Sequence, residues 1–386
     1  MPKVDRKMIS KIKKKYGVDD IYSYSKLSTY IRDPYEYFLK YVLKKKPDLD
    51  SNAYGWMGGK VHDILERFYN NEITYEQMYE EWEDVVLEFD MSGLKYDKRD
   101  STANGKIKKK YQNAVSHFFK NHIVTNADKR INEAFIVFLL GRFLFQGFID
   151  VTERIGKKEI EEVIVTDYKT STIYKNDKKT ENAGQLISYG IGIHQRNKIP
   201  YDKIKLRWNF LKYVEVSYQL KNGNTKTRII ERISLMQKLE SQIVTKMKTL
   251  GYDNTTINNE VSMVKDLNSI DSLPDDVKDQ FIIGDCYVYV DINEEIVDRF
   301  TNRMIVILEE IEEKTKKYHE TKDEKLFWKE VTDKDTYYLN NLGGYSSKLH
   351  APWNAYKAEK AKYSGSVKDE DDLIELLGED FFEEVK

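Results

Sequence analysis

The sequence predicts a mixed α/β fold, a β-sheet flanked by helices, and three observations lead there. Apolar strand-like segments joined by tight turns occupy the middle of the chain, from Ala134 to Lys169. Apolar residues at helical spacing dominate both sides of that stretch. A hydrophobic fraction of 40% over 386 residues is enough to bury a large core.

Taken in order, the elements are as follows. Lys3 to Lys15 is basic. Ser25 is a candidate N-cap for a helix whose stripe is Leu27, Tyr30 and Ile31. Pro34 breaks or restarts that helix, and Tyr35 to Leu43 continues as an aromatic-rich turn or helix. Gly55, Gly58 and Gly59 are expected to form a loop, because glycine serves where backbone bends or approaches something closely. Val61, Ile64, Leu65 and Phe68 then share a helix face. Residues 75–125 read as a helical layer, with Trp82, Val85, Val86 and Phe89 turned inward. Ala134 to Leu140, Phe143 to Asp150 and Glu162 to Lys169 form an antiparallel meander turning at Gly141-Arg142 and near Gly156. A helix is expected over Asn182–Gln195, and a hairpin over Lys203–Tyr218 and Thr225–Ile233, turning at Asn222-Gly223-Asn224. Helices follow at Leu235–Leu250 and Glu294–His319. The Asn-, Asp-, Thr- and Ser-rich stretch Gly251–Asp276 reads as loop.

Domain organisation follows these changes of pattern. Residues 1–132 form a helical N-terminal region, 133–234 a core, 235–366 a helical region packing back on that core, and 367–386 an acidic tail. The tail mixes acids with Leu373, Ile374, Leu376, Leu377, Phe381 and Phe382, so it is either a last helix on the body or a segment that docks on a protein partner.

Composition excludes several classes. Aromatic residues at 13% and the apolar content argue against a disordered chain. Lys+Arg 63 against Asp+Glu 65 gives no overall basic bias, so a polyanion partner is permitted rather than required. The single cysteine, Cys286, excludes an internal disulfide framework, a Cys-rich zinc site and a four-Cys iron–sulfur cluster. No apolar run is long enough for a bilayer, and Met1–Gly17 lacks the apolar segment of a signal peptide. A cytoplasmic protein without a membrane partner is expected.

Four motifs stand in order: Gly59-Lys60-Val61-His62, Gly147-Phe148-Ile149-Asp150, Asp167-Tyr168-Lys169, and Gln185-Leu186-Ile187-Ser188-Tyr189. Side chains at i and i+2 of a strand share a face, so Asp167 and Lys169 point one way and Tyr168 the other. Asp150 is on the preceding strand and can converge with Asp167. A carboxylate pair suits a hard divalent cation, Mg²⁺ or Mn²⁺, and the Tyr168 carbonyl can add an oxygen. Such an ion supplies Lewis acidity and an activated water, and a neighbouring Lys169 can orient that water or neutralise charge on a phosphate. His62 can supply a nitrogen ligand or contact phosphate. Glu66, a turn after His62, can join the site through water, although a plain salt bridge is the commoner role for such a residue.

Together these motifs resemble the PD-(D/E)XK nuclease superfamily, in the branch of RecB- and AddB-type exonuclease domains and CRISPR-adaptation nucleases. The resemblance begins at Ser23-Tyr24-Ser25-Lys26-Leu27-Ser28-Thr29-Tyr30 and spans roughly residues 22–190, with a fainter echo near 325–360. It implies a restriction-endonuclease-like core with helical N-terminal and C-terminal elaborations. It also implies His62, Asp150 and Asp167 as metal ligands and Lys169 as the catalytic lysine, with Gln185 and Tyr189 steadying the lysine strand or the DNA. Many relatives carry an iron–sulfur cluster. Here Asp33 stands ahead of Pro34 where the first cysteine is expected, and no Cys follows in Gly343–Asn354, so no cluster is expected and packing through Trp353 and Tyr356 must join the ends.

Each motif alone has an ordinary reading: Asp-x-Lys as a solvated strand edge, Gly147 as a bulge, Gln185 and Tyr189 as helix residues. Their order on the right element types favours an Mg²⁺- or Mn²⁺-dependent deoxyribonuclease, most simply an exonuclease acting on DNA ends in recombination, repair or replication. The Lys-, Ile-, Asn- and Tyr-rich composition adds a hint of phage origin. The rivals are a structure-specific endonuclease and a non-catalytic binding module on the same scaffold. Tyr22, Tyr24, Tyr30 and Tyr35 are candidate stacking platforms for bases, and Lys11–Lys15 and Lys106–Lys110 candidate groove linings.

Overall fold

The computed structural model describes residues 5–49, 52–125, 127–156, 162–220 and 222–363. The acidic tail from Asp369 therefore lies outside the described residues. The apolar segments of the central region fold as β1 (Lys129–Leu140), β2 (Phe143–Ile155) and β3 (Glu162–Lys169), an antiparallel meander. Leu140 pairs with Phe143, which makes Gly141-Arg142 the tight turn, and Gly141 takes a left-handed φ of 56° there. β4 (Ile204–Gln219) lies parallel to β3, β5 (Thr225–Glu231) returns beside its far half, and β6 (Phe281–Val290) runs antiparallel along its other edge. The result is a mixed six-stranded sheet flanked by helices, the expected fold class. Most of β3 is buried, as befits a strand covered on both faces.

Among the described residues, helices contribute most of the remainder: α1 (Arg6–Tyr16), α2 (Tyr24–Arg32), α3 (Pro34–Tyr37, running on as a π-turn over Phe38–Val42), α4 (Ala53–Tyr69), α5 (Tyr75–Ser92), α6 (Ser101–Lys120), α7 (Asp177–Asn182), α8 (Gly184–Asn197), α9 (Leu235–Thr249) and α10 (Asn254–Leu267). They are followed by α11 (Asp275–Lys278), α12 (Glu294–Thr321), α13 (Thr336–Asn341) and α14 (Ala351–Tyr363). Pro34 restarts the chain as a helix because Asp33 caps it, accepting from the amides of Tyr35 and Glu36. Three expectations are corrected. Gly55, Gly58 and Gly59 lie inside α4 rather than in a loop. Residues 254–267 are helical because Ile257, Val261 and Val264 form a buried stripe and Asp253 caps the first turn. Strand β6 follows where no element was expected.

The chain divides into two compact units. The first comprises Met1–Tyr24, Trp56–Gly93 and Thr102–Met304 and contains the whole sheet. Beyond the region where β4 pairs with β3, a separate apolar cluster forms from the far half of β4, β5, the start of β6, and helices α9 to α11, including Val216, Leu239, Ile243 and Val264. The second unit comprises Ser25–Gly55, Leu94–Ser101 and Ile305–Lys386. Phe38 stacks on Phe327 there at 4.8 Å, and Tyr338 donates to Glu36 at 2.6 Å. Tyr22, Tyr30 and Tyr35 are buried, which corrects their reading as base-stacking platforms.

Candidate active site

Strand register brings the acidic residues together. Glu133 lies between the pairs Asn132↔Val151 and Ala134↔Ile149, opposite Asp150. One step beyond the pair Val151↔Thr166, Asp150 in turn lies opposite Asp167. Three carboxylates thus form a row across β1, β2 and β3. The Tyr168 amide donates to Asp150 Oδ2 at 2.9 Å, which fixes Asp150 against β3. From α4, His62 places Nε2 3.1 Å from the Tyr168 carbonyl oxygen and Nδ1 3.5 Å from Asp150 Oδ2. Gly58, one turn before His62, lies beside the residue after the Asp-x-Lys motif: a Cβ there would meet Thr170 Oγ1 at 3.5 Å, an ordinary contact distance.

A second chain of contacts runs through the lysine. Lys169 Nζ is 2.6 Å from Asp167 Oδ2 and donates to Gln185 Oε1 at 3.2 Å. Gln185 Nε2 donates to the Tyr189 hydroxyl at 2.9 Å. Gln185 and Tyr189 are one helical turn apart on α8, so one helix face grips the lysine side chain. Opposite the ring of Tyr189 lies Gly147, where a Cβ would come within 2.9 Å of Cε1, so only glycine leaves that ring its place. Tyr168 turns into the other layer, where Arg130 donates to its hydroxyl at 2.8 Å. Arg130 also binds Glu153 at 2.7 Å and lies against the ring of Tyr69.

The electrostatics are those of crowded negative charge. Burial, then the charge of Asp150, pushes the Asp167 carboxyl up to about 6 against the pull of Lys169. Burial, then Asp150 and Glu66, likewise lifts Glu133 to about 6. Burial works against the Lys169 ammonium, but Asp167 and Asp150 outweigh it and its pKa rises. Excess negative charge of this kind is what a divalent cation neutralises.

The donor set fits such an ion: an imidazole, carboxylates and a backbone carbonyl within one cleft. Ligand atoms of His62, Glu133 and Asp150 lie within 4.8 Å of one another. Asp167 and the Tyr168 carbonyl adjoin the same place through the contacts above. All seven residues expected from the sequence, His62, Asp150, Asp167, Tyr168, Lys169, Gln185 and Tyr189, are therefore neighbours in one site. Glu133 was not expected. It belongs to no motif, yet its position follows from counting back across the Gly141-Arg142 turn, and it has an unusual φ of 48°.

A family model described as the PD-(D/E)XK nuclease superfamily matches residues 21–277. The chain belongs to that superfamily, whose sheet flanked by helices is the architecture described above. No curated protein matches the sequence. None of the described helices is long and apolar enough to cross a membrane.

Proposed function

We propose that this protein is a divalent-cation-dependent deoxyribonuclease, using Mg²⁺ or Mn²⁺, that removes nucleotides from DNA ends. The observation that carries the reading is the meeting of Asp150, Asp167, His62 and Lys169 at the end of β3. His62, Asp150, Asp167 and the Tyr168 carbonyl would hold the ion, with Glu133 as a further carboxylate. Bound there, the ion would supply Lewis acidity and lower the pKa of water. Lys169, proton-bearing and aimed by Gln185, would face the phosphate and offset charge developing on it. Tyr189 holds Gln185, which makes both of them positioning residues. The preference for ends draws its support from the resemblance of the opening helix, the Gly-x-x-His motif and the Gln-x-x-x-Tyr helix to end-processing members of the superfamily.

The test uses labelled linear DNA and covalently closed circular DNA, each with Mg²⁺, Mn²⁺ or EDTA. Linear DNA should shorten from its ends only with a divalent ion, and Asp150→Asn should abolish the effect. Cutting of the closed circle would replace exonuclease with endonuclease. No cleavage of any DNA with either ion would overturn the nuclease reading.

A further inference from the structure

Lys212 lies in the irregular stretch of β4 between Asn209 and Val214. It is two residues past Phe210, the partner of Lys169 and the last pair of the parallel β3–β4 ladder. β4 thus carries this lysine beyond the carboxyl end of the strand that holds Asp167 and Lys169. Crevices beyond the carboxyl ends of parallel strands are where α/β sheets receive ligands. A continuous path of contacts joins the two places. Thr170 follows Lys169 on the chain, the Tyr111 hydroxyl of α6 meets Thr170, and Lys212 Nζ sits 5.5 Å from the centre of the Tyr111 ring.

Lys212 is partly buried, yet among the described residues no ion pair or hydrogen bond holds its ammonium group. Two charged groups face it. Glu231, at the end of β5, is engaged by Lys110 of α6 at 3.0 Å, and Lys110 itself adds like charge. Burial, then Lys110, pushes the Lys212 ammonium down to about 8, against the attraction of Glu231. A partly desolvated cation with no direct ion pair, its nearby carboxylate taken by another lysine, is unfavourable, and an arriving anion would relieve it. The face of the Tyr111 ring gives Nζ a cation–π contact but no acceptor oxygen, and Glu231 is already engaged by Lys110.

We propose that Lys212, with Lys110 beside it, is a subsite for a backbone phosphate of the nucleic acid next to the scissile one, a role that rests on the nuclease reading of the main site. A phosphodiester has the charge and the acceptor oxygens that this ammonium lacks. Contact through phosphate alone would position the strand without reading its sequence.

Binding of a fluorescein-labelled oligonucleotide, followed by anisotropy against NaCl with Ca²⁺ replacing the catalytic ion, tests this. Lys212→Met should reduce the salt slope by about one phosphate contact, roughly 0.7–0.9, and weaken several oligonucleotides by the same factor. Wild-type binding should decline from pH 7 to 9, while Lys212→Arg should keep the slope and hold its affinity across that range. Wild-type slope, affinity and pH profile in Lys212→Met would overturn the subsite and leave the nuclease reading intact. Should Lys212→Met fail to fold, Lys212→Arg decides: a decline with pH like that of the wild type overturns the proposal. A wild-type protein that binds no DNA would overturn the nuclease reading itself, and the subsite with it.

Discussion

A carboxylate set between other acids ionises reluctantly, and Glu133 shows it. Its carboxyl is lifted to about 6 by burial first and by Asp150 and Glu66 next. A group whose pKa is higher folded than unfolded stabilises the fold below its unfolded pKa, and that contribution disappears as pH rises through the folded value. Without a divalent ion, Glu133→Gln should therefore melt higher than wild type at pH 8, by the equivalent of about 1 kcal/mol once solvent screening of this half-buried group is allowed for. The gap should close below pH 4.5. Thermal melts in EDTA across pH check it, and equal melting at pH 8 would contradict the crowding. With Mn²⁺ present the order should reverse if Glu133 is a ligand. Lys169→Met makes the complementary case: turnover should fall by at least two orders of magnitude, as for loss of a charge-stabilising group. Mn²⁺ binding, read by calorimetry, should persist. Asp150, Asp167 and Lys169 were legible in the sequence because strand alternation fixes which side chains share a face. Glu133 carries no such signature, and its role depends on a register that only the paired strands express.

At the scale of elements, α8 and β2 act as a matched pair. The helix grips Lys169 through Gln185 and Tyr189, and β2 supplies the bare backbone at Gly147 that leaves room for the Tyr189 ring. Gly147→Ala should displace that ring and lower kcat about tenfold, in line with what small misplacements cost at an active site, while cation affinity stays near wild type. Tyr189→Ala should lower kcat by itself, and adding Gly147→Ala should then change little, because the clash is gone. Additive losses in that cycle would show that Gly147 acts by another route. The misread elements have physical causes too. Gly55, Gly58 and Gly59 are poor helix formers, so composition suggests a loop, yet burial of Met57, Val61, Ile64 and Leu65 along α4 overrides propensity. In α10, Asn and Thr mask a short apolar stripe that becomes decisive only when the β4–β6 extension is there to cover it.

On the scale of the molecule, the second unit joins distant parts of the sequence through polar groups as well as aromatic packing. Asp33 and His350, 317 residues apart, are held at 2.8 Å, and both are buried. Trp353 and Tyr356, expected from the sequence as packing anchors, stack on each other in α14 at 5.4 Å, and the Trp353 amide donates to His350 Nδ1 at 3.2 Å. The Asp33–His350 contact was not legible, since nothing in the spacing of two ordinary residues so far apart announces a pair. Its contribution can be separated from capping. Burial works against the Asp33 carboxylate, but the hydrogen bond and charge of His350, with the amides of Glu36 and Tyr35, hold its pKa below the usual aspartate range. A depressed carboxyl stabilises the fold above its unfolded pKa and loses that contribution as pH falls through the folded value. Asp33→Asn keeps an oxygen for the two α3 amides but removes the charge and puts an amide donor in place of the oxygen that accepts from His350, whereas Asp33→Ala removes the cap as well and should cost about 1 kcal/mol more, the usual worth of an N-cap. His350→Ala leaves a buried carboxylate without its partner, for which about 3–5 kcal/mol is expected. Hydrogen exchange in peptides covering residues 33–45 and 345–357 reads all three variants, with protection falling in the order Asp33→Asn, Asp33→Ala, His350→Ala at pH 7. Once the pH lies below the depressed folded pKa of Asp33, the Asp33→Asn peptides should exchange like wild type, because protonation then removes the charge that the substitution takes away, and a difference that persisted there would assign the stabilisation to shape rather than to the ion pair.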